Sequence, residues 1–309
     1  MSKRIIAIIG PTASGKTALA TKLAEKLSGE VVSCDSMQIY RGMDIGTAKP
    51  TEDEMRLIPH HMIDIAEPSQ RFSVADFVNS ARECIDDILS RGKVPILAGG
   101  TGLYVDSVIF NISFPDFNEA PEFRLKMQEV LEKEGKEALH MRLLKLDPEA
   151  AEKIHPNNTR RVIRALEVCE ATGKTFTQVS KEARRTPEYD AYVLGIETDR
   201  VELYKRIDAR VDVMMENGLI DEVKRLKESG ISRDTTAMQA IGYKELYDCF
   251  DGFISLDEAV EKIKQESRRY AKRQLTWFRR NEDIDWVRID SEENIEKICE
   301  KCVDFLKKN

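Results

Sequence analysis

The chain has 309 residues, of which 41% are hydrophobic and 33% charged, and its formal net charge is −7. This length allows one large domain or two moderate ones with a sizeable core. The net negative charge excludes a polycation that binds nucleic acid over its whole surface, so any such contact must come from a local basic patch.

The first predicted elements are a strand, a glycine turn and a helix. The apolar run Ile5–Ile9 ends at a loop that reads GPTASGKT, and the helical stretch Ala18–Leu27 follows. The loop matches the phosphate-binding pattern G-x-x-x-x-G-K-[ST] in the context that this pattern requires. Its backbone N–H groups, the following helix dipole and a lysine bind phosphate, and the Thr17 hydroxyl is placed to ligate Mg²⁺. The predicted anion-binding residues are Gly10, Pro11, Thr12, Ala13, Ser14, Gly15, Lys16 and Thr17.

Such a loop recognises phosphate and not the group attached to it. ATP, the donor of a nucleoside monophosphate kinase and another diphosphate all fit the pattern. The identity of the bound phosphate therefore stays open at this point.

Strands and helices alternate over the first hundred residues. The strand candidates Glu30–Cys34 and Val94–Ala98 are separated by a predicted helix at Val74–Arg91. This alternation predicts an α/β fold, namely a P-loop NTPase-like parallel sheet flanked by helices. Pro95 indicates either the start of its strand or a strand at the sheet edge.

Polar side chains follow these strands where they end. Asp35 comes directly after the second strand, and Thr101 follows a pair of glycines after the third. Because the carboxyl ends of parallel strands meet at one edge, we expect a single crevice. Asp35 could support Mg²⁺ or act as a general base, and the amide of Gln38 could bond a base edge. Thr101 could contact a ligand, cap a helix, or do both.

The pattern changes from residue 113 onward. FPDFNEAPEF at 114–123 carries two prolines and is typical of a connector, and no strand is evident before 191–199. We therefore predict an all-helical insertion domain at 113–189 within a core domain formed by 1–112 and 190–309. The helices predicted in the insertion are Pro121–Glu134, Lys136–Lys145, Pro148–Ile154 and Asn158–Thr172.

Two basic segments suit a polyanion. RRYAKRQLTWFRR at 268–280 interleaves basic and aromatic residues on a predicted helix, where Arg269 and Arg273 share a face. A solvated basic face above an aromatic core stripe explains this segment equally well. The second segment, HPNNTRRVIRALEV, places arginines at 160, 161 and 164 at the start of a helix. Cations there oppose the helix dipole unless an anion binds, which favours contact with nucleic acid.

The C-terminal stretch contains the only C-x-x-C of the sequence. Cys299 and Cys302 share the apolar face of a predicted helix with Ile295 and Phe305, so we interpret them as buried thiols rather than zinc ligands. Scattered cysteines, the lack of a secretory signal and the absence of an apolar run of ~18 residues predict a cytoplasmic protein that does not enter a membrane.

Seven motifs in one order resemble the tRNA dimethylallyltransferase family over nearly the whole chain, from residue 10 to residue 280. They are GPTASGKT, DSMQIYRGMDIGTAKP, PHHMIDI, GGTGLYV, HPNNTRRVIRALEV, AMQAIGYKE and YAKRQLTWFR.

The resemblance implies a prenyl transfer. The P-loop of this family holds the diphosphate of dimethylallyl diphosphate, with Mg²⁺, and the acceptor is N6 of the adenosine just 3′ of the anticodon, in tRNAs reading codons that begin with U. Asp35 matches the proposed general base, Thr101 the hydroxyl residue that contacts the acceptor base, and Arg124 a basic residue of the substrate channel. With Lys16 these are the catalytic candidates. The candidate tRNA-binding residues are Asp35, Ser36, Met37, Gln38, Thr101, Arg124, Arg160, Arg161, Arg164, Gln239, Gly242, Tyr243, Arg269 and Arg273.

Three other functions compete with this one. A P-loop small-molecule kinase explains the loop and Mg²⁺ but leaves the insertion and the basic helix without a role. A prenyltransferase acting on free adenine nucleotides would leave the basic patches idle. An RNA-binding P-loop NTPase would hydrolyse ATP without modifying a base. We expect a monomer whose partners are the tRNA anticodon stem-loop and dimethylallyl diphosphate.

Overall fold

The computed structural model describes residues 3–110, 121–182 and 186–308. The chain forms two compact units, one of Met1–Phe110 with Pro187–Asn309 and the other of Asn111–Thr186. The predicted connector at 114–123 lies largely outside the described residues, and the domain limits given above stay a prediction. Among the described helices, each is too short or too polar to cross a lipid bilayer.

The larger unit is built on a parallel sheet of six strands, as the alternating pattern predicts. The strands are β1 (Arg4–Ile9), β2 (Gly29–Ser33), β3 (His60–His61), β4 (Val94–Gly99), β5 (Asp190–Ile196) and β6 (Asp285–Val287). Their order across the sheet is β3-β2-β4-β1-β5-β6, and every pair is parallel. Successive residues of β1 are buried because helices cover both faces of such a sheet. All carboxyl ends therefore point to one edge.

Thirteen helices accompany the sheet in the described part of the chain. They are α1 (Lys16–Leu27), α2 (Glu52–Leu57), α3 (Val74–Ser90), α4 (Gly102–Ile109), α5 (Pro121–Leu146), α6 (Pro148–Lys153), α7 (Thr159–Thr172), α8 (Phe176–Glu182), α9 (Arg200–Glu216), α10 (Leu219–Glu228), α11 (Tyr243–Phe250), α12 (Leu256–Phe278) and α13 (Glu292–Lys307). Three of them, α2, α3 and α12, begin with a capping box that fixes their first turn.

Helices α5 to α8 form the smaller unit. Gly135 interrupts α5 with a φ of +86°, so the chain turns there and two helical segments result, as predicted. The segments of α5 and α7 bury a common apolar core with α6. Its members include Val130, Leu139, Leu143, Val162 and Leu166.

The sequence pattern located the long elements and missed the short ones. Strands β3 and β6 have two and three residues, too few for a periodicity to be visible. Pro95 is the second residue of β4, which lies inside the sheet, so the interpretation as a strand start is confirmed and the edge interpretation is wrong. Cys299 and Cys302 are buried on α13, whose helix packs against the sheet core with α1, as expected.

A buried carboxylate holds the amino-terminal side of the sheet together. Glu30 at the start of β2 is 2% exposed and accepts hydrogen bonds from Arg91 at 2.5 and 2.8 Å and from Lys93 at 2.7 Å. His61 of β3 lies 2.7 Å away through Nε2. The hydrogen bond from Arg91 lowers the pKa of Glu30 most, burial opposes it, and Lys93 and His61 add to the lowering, so the pKa lies well below its ordinary range.

We expect Glu30→Gln to lower the free energy of unfolding at pH 7 by about 2 kcal/mol, less than the roughly 3–5 kcal/mol for breaking a fully buried ion pair, because Arg91 and Lys93 still reach water. The folded-state pKa lies below that of the unfolded chain. The contribution is therefore complete above the ordinary value of 4.5 and is lost as the pH falls toward the folded-state value. Urea unfolding at pH 7, 5 and 3 measures both effects. Glu293→Gln, which removes an exposed pair with Lys297, is the control, and equal losses in the two variants would contradict the assignment.

Candidate active site

The phosphate-binding loop connects β1 to α1, as its motif predicts. Gly15 has a φ of +92°, and a Cβ there would lie 2.6 Å from Cδ1 of Ile289, so no other residue fits without a shift. The Ser14 hydroxyl is buried and has no hydrogen-bond partner among the described residues, and Lys16 Nζ donates to the carbonyl of Pro11 at 2.6 Å. The loop therefore contains polar groups that a bound anion can satisfy.

Two cations share this site. Arg210 of α9 donates to the Thr12 hydroxyl at 3.4 Å. Burial, followed by repulsion from Arg210, lowers the pKa of Lys16 to about 7, although Asp35 opposes the shift. Burial also lowers the pKa of Arg210, again against the attraction of Asp35. A polyanion bound here would relieve the repulsion between the two cations and replace the water that burial removed.

Asp35 lies at the carboxyl end of β2, beside this cationic pair. Its Oδ1 accepts the N–H of Met37 at 2.8 Å and that of Gln38 at 3.4 Å, which fixes the carboxylate at the start of its loop. Asp35, Ser36 and Met37 line a cavity of about 300 Å³. The structure thus places the predicted base and the phosphate-binding loop at one cavity, because Thr12 and Arg210 line it too.

Part of the cavity lining is apolar. It comes from α9, α10 and α12, and its side chains are hydrocarbon or thioether. These side chains are Ile207, Val211, Met214, Leu219 and Ile263. Such a wall suits a small hydrocarbon group next to a polar headgroup.

The segment 35–50, which we call the substrate loop, is held from two sides. Glu222 of α10 is 1% exposed. It accepts the N–H groups of residues 44, 45 and 46 at 2.8, 2.8 and 3.1 Å and the hydroxyl of Tyr243 at 2.6 Å. The amide of Gln38 accepts from Ser33 at 2.8 Å and donates to the carbonyls of residues 47 and 48 at 3.2 and 3.1 Å. A wall of the cavity is therefore fixed by one carboxylate and one amide.

These contacts change the interpretation of two predicted tRNA-binding residues. The amide of Gln38 bonds protein groups in this structure, so it positions the substrate loop, and its contact with a base stays a prediction. Tyr243 is fully buried, and burial and then the Glu222 carboxylate raise its pKa. In this structure the Tyr243 hydroxyl therefore helps to hold the substrate loop through Glu222, and its contact with tRNA stays a prediction. Its neighbours Gln239 and Gly242 do line the cavity.

Thr101 begins α4 without capping it. It occupies the N-cap position, but its hydroxyl makes no capping hydrogen bond and is buried without a partner that meets hydrogen-bond geometry in the described residues. The Tyr270 hydroxyl lies near it, since the contact with Thr101 lowers the pKa of Tyr270 against the larger effect of burial. The predicted N-cap position is therefore confirmed, a capping hydrogen bond from the hydroxyl is not, and the hydroxyl stays a candidate ligand contact.

The basic segment 268–280 divides between the interior and solvent. Ala271, Gln274 and Phe278 are buried on α12, and Trp277 Nε1 donates to Asp106 at 2.9 Å. Arg268 pairs with Asp208, and Arg269 pairs with Glu266 at 2.6 Å. Arg273 is exposed, lines the cavity and lies over the ring of Tyr270. The segment thus has the basic face and buried aromatic stripe of the second interpretation, and its contact with nucleic acid stays a prediction.

The remaining predicted arginines belong to the smaller unit. Arg124 makes a bidentate pair with the buried Glu167, at 2.5 and 2.8 Å, and that contact raises its pKa. Arg164 also reaches Glu167, at 3.4 Å. Arg160 and Arg161 are exposed in the first turn of α7, whose N-cap is Asn158. A catalytic role for Arg124 stays a prediction and would require a second contact beyond Glu167.

Arg210, Glu222 and Gln274 are site residues that the sequence patterns missed. Arg210 lies between Ile207 and Val211, which are both buried on α9. The only sequence signal for Arg210 as a site residue is therefore a cation at the edge of the apolar stripe of a helix. Solvated arginines at such positions are common, so this signal is weak. Glu222 and Gln274 look like ordinary surface residues of amphipathic helices.

Two family profiles match the chain. The profile described as IPP transferase matches residues 38–281, and the profile described as isopentenyl transferase matches residues 3–66. Among curated proteins, the tRNA dimethylallyltransferase of Bacillus subtilis (strain 168) is 54% identical over 282 residues, covering 91% of this chain and 90% of that protein. The tRNA dimethylallyltransferase of Thermoanaerobacter sp. (strain X514) is 50% identical over 309 residues, covering 99% and 98%.

Solved structures of similar proteins have the same fold. The full-length tRNA isopentenylpyrophosphate transferase from Bacillus halodurans superimposes with a TM-score of 0.75 at 47% identity, covering 99% of this chain and 97% of that one. A eukaryotic dimethylallyltransferase described as acting on tRNA gives a TM-score of 0.80 at 31% identity, covering 98% of this chain and 78% of that one.

We expect Glu222→Gln to loosen the substrate loop, because an amide offers one acceptor oxygen where the carboxylate oxygens accept four hydrogen bonds. Hydrogen exchange of the amides at 44–46 should accelerate by about tenfold or more, which corresponds to roughly 1.4 kcal/mol. Mass spectrometry of peptides from 40–50 measures it. Glu228→Gln, at the exposed end of the same helix, is the control, and unchanged exchange in Glu222→Gln would refute the anchoring role.

Proposed function

The chain belongs to the IPP transferase family, and we propose that it transfers the dimethylallyl group of dimethylallyl diphosphate to N6 of an adenosine in tRNA. It is a prenyl transferase on a P-loop fold. The finer proposal is that the acceptor is adenosine 37, 3′-adjacent to the anticodon, in tRNAs that read codons beginning with U. The products are N6-(dimethylallyl)adenosine in the tRNA and free diphosphate.

The observation that carries this proposal is a pair of partly buried cations beside Asp35, at a cavity that Asp35 and Arg210 line. Lys16 and Arg210 repel each other unless an anion is present, and the apolar side chains of the cavity lining suit a short hydrocarbon chain. Asp35 lies near both cations, because its negative charge raises the pKa of each and opposes the lowering by burial. A diphosphate ester of a small allylic alcohol has the matching distribution of charge and hydrocarbon.

The chemistry follows from these groups. The N6 amine attacks the allylic carbon, and its electron pair forms the new C–N bond. The C–O bond to the diphosphate breaks, and its electron pair leaves with the diphosphate oxygen. Lys16, Arg210 and the loop N–H groups stabilise the negative charge that grows there. Asp35 accepts the proton that the amine loses.

Mg²⁺ fits the donor groups of this site. The described residues contain no cluster of three acidic, histidine or cysteine side chains that could hold a metal, and the Thr17 hydroxyl is exposed at the start of α1. Mg²⁺ commonly takes one or two protein ligands together with phosphate oxygens and water. Thr17 would hold it against the diphosphate, where the ion would neutralise part of the leaving group's charge.

The acceptor base must leave its stack to reach the cavity. Ser36, Met37 and Thr101 are the proposed contacts of the extruded adenine. Ser36 and Met37 line the cavity together with Gln239, Gly242 and Arg273, and Thr101 lies near Tyr270, which also lines it. The exposed Arg160, Arg161 and Arg269 would contact backbone phosphates of the anticodon stem-loop. We propose that the protein acts on tRNA in the cytoplasm, as a monomer.

Mass spectrometry of tRNA nucleosides tests the function. Purified protein is incubated with unmodified tRNA, Mg²⁺ and dimethylallyl diphosphate, and in parallel with free AMP or with ATP and small-molecule acceptors. We expect N6-(dimethylallyl)adenosine to form in tRNA, with no prenylated AMP and no phosphoryl transfer from ATP. Prenylated AMP, phosphoryl transfer from ATP, or RNA-stimulated ATP hydrolysis without a modified base would each favour a competing function.

We expect Asp35→Asn to lower kcat by about 10³-fold, the range of general base catalysis. The amide keeps an acceptor oxygen for the N–H of Met37, so the substrate loop should stay in place and the Kd for tRNA should remain within about threefold. Single-turnover prenylation and filter binding measure the two quantities. Asp283→Asn, exposed in the same unit, is the control, and a parallel loss of tRNA binding would remove Asp35 from the role of base.

We expect the affinity for tRNA to fall as salt rises, because phosphate contacts release counterions. Arg269→Ala and Arg273→Ala should each reduce the slope of log Kd against log salt by about 1. Binding measured from 50 to 300 mM KCl checks this. Arg288→Ala, which removes an exposed arginine paired with Glu197, should keep the wild-type slope, and an unchanged slope in the first two variants would contradict the phosphate contacts.

A further inference from the structure

One buried amide on α12 connects two loops of the site. Gln274 is 5% exposed. Its Oε1 accepts the N–H of Thr12 in the phosphate-binding loop at 2.9 Å, and its Nε2 donates to the carbonyl of Gly100 at 2.9 Å. Gly100 immediately precedes Thr101. The first loop holds the donor in the proposed function, and the second presents the hydroxyl proposed to contact the acceptor.

Helix α12 packs tightly against the segment that contains Gly100 and Gly102. A Cβ on Gly100 would lie 2.1 Å from Nε2 of Gln274, and a Cβ on Gly102 would lie 2.2 Å from the ring of Trp277. Trp277, one turn along α12 from Gln274, also bonds Asp106 of α4 at 2.9 Å. These contacts fix the position of α12 along the segment 100–106. The hydrogen bond between Gln274 and Thr12 then fixes the phosphate-binding loop relative to both.

The two loops need a side chain that donates and accepts at once. The partner on one side is an N–H group and on the other a carbonyl, and a glutamine amide satisfies both with its single oxygen and its NH₂. A carboxylate would face the Gly100 carbonyl with a second acceptor. Because Gln274 Oε1 already accepts the N–H of Thr12, that N–H is not among the groups proposed to hold the diphosphate.

We propose that Gln274 is a positioning residue that fixes the distance between the phosphate-binding loop and Thr101, and thereby between the allylic carbon and the acceptor amine. The inference rests on the proposed prenyl transfer. Reaction requires the two atoms to approach in alignment, and a displacement of about 1 Å can lower the rate by about 100-fold. Binding of each substrate depends on groups of one loop or the other and should change much less.

The test is the near-isosteric variant Gln274→Glu, compared with Gln265→Glu, the same change at an exposed position of the same helix. We expect kcat of Gln274→Glu to be about 100-fold below wild type at pH 8.5, with KM for tRNA and the Kd for inorganic diphosphate within about threefold. As the pH falls to 6, the buried carboxyl gains a proton and again donates to the Gly100 carbonyl. The ratio of variant to wild-type kcat should then rise.

The charged and titratable groups of the surrounding elements, Lys16, Asp35, Arg210 and Tyr270, are present in every protein compared, and Gln274→Met shows the pH dependence of kcat when residue 274 carries no carboxyl. Gln265→Glu should keep a ratio near one at every pH. Gln274→Met, which removes both hydrogen bonds, should show the low kcat at every pH with no recovery.

Three results would overturn the inference: a wild-type kcat in Gln274→Glu, a loss that does not change with pH, or a loss of kcat matched by an equal loss of diphosphate binding and thermal stability. Failure of the wild-type protein to prenylate tRNA would instead overturn the proposed function, since the variants are scored only against an active wild type.

Discussion

The site depends on two positive charges that the fold places close together and partly removes from water. Lys16 and Arg210 lie close enough for Arg210 to lower the pKa of Lys16, and Asp35 offsets only part of that repulsion. A charge distribution of this kind is unfavourable for the protein alone and favourable for a complex with a polyanion. The phosphate-binding loop provides its geometry and Arg210 completes its charge, so neither α1 nor α9 makes the site without the other.

Residues of helix α12 lie at the loops that follow three strands of the sheet. Gln274 reaches the loop after β1 and the loop after β4, while Tyr270 and Arg273 line the cavity beside Asp35, which follows β2. The same helix leaves Arg269 on its outer face. The basic, aromatic segment thus has two faces: its buried residues contact the two loops, and its arginines at 269 and 273 are exposed.

The substrate loop shows how a polar segment without regular structure becomes a rigid wall. Three of its N–H groups bond Glu222 and two of its carbonyls bond Gln38, while the N–H groups of residues 40, 41, 48 and 49 bond backbone carbonyls. Side chains thus satisfy part of the backbone that a strand or helix would pair internally. Such a loop can present Ser36 and Met37 to a ligand with little loss of conformational entropy on binding.

The smaller unit has its own core and presents its arginines from a helix terminus.

The sequence by itself determined what is local. The phosphate-binding loop, the strands β1, β2, β4 and β5, the break at Gly135 and the positions of Asp35 and Thr101 at strand ends all follow from patterns within a few residues. Only the tertiary structure decided which distant groups complete the site, because Thr12 and Gln274 are 262 residues apart and Glu222 and Gly46 are 176 apart. A buried polar side chain and an exposed one are chemically the same in a sequence, and the packing of α9, α10 and α12 distinguishes them. The family resemblance supplied the reaction, and the contacts supplied Arg210, Glu222 and Gln274.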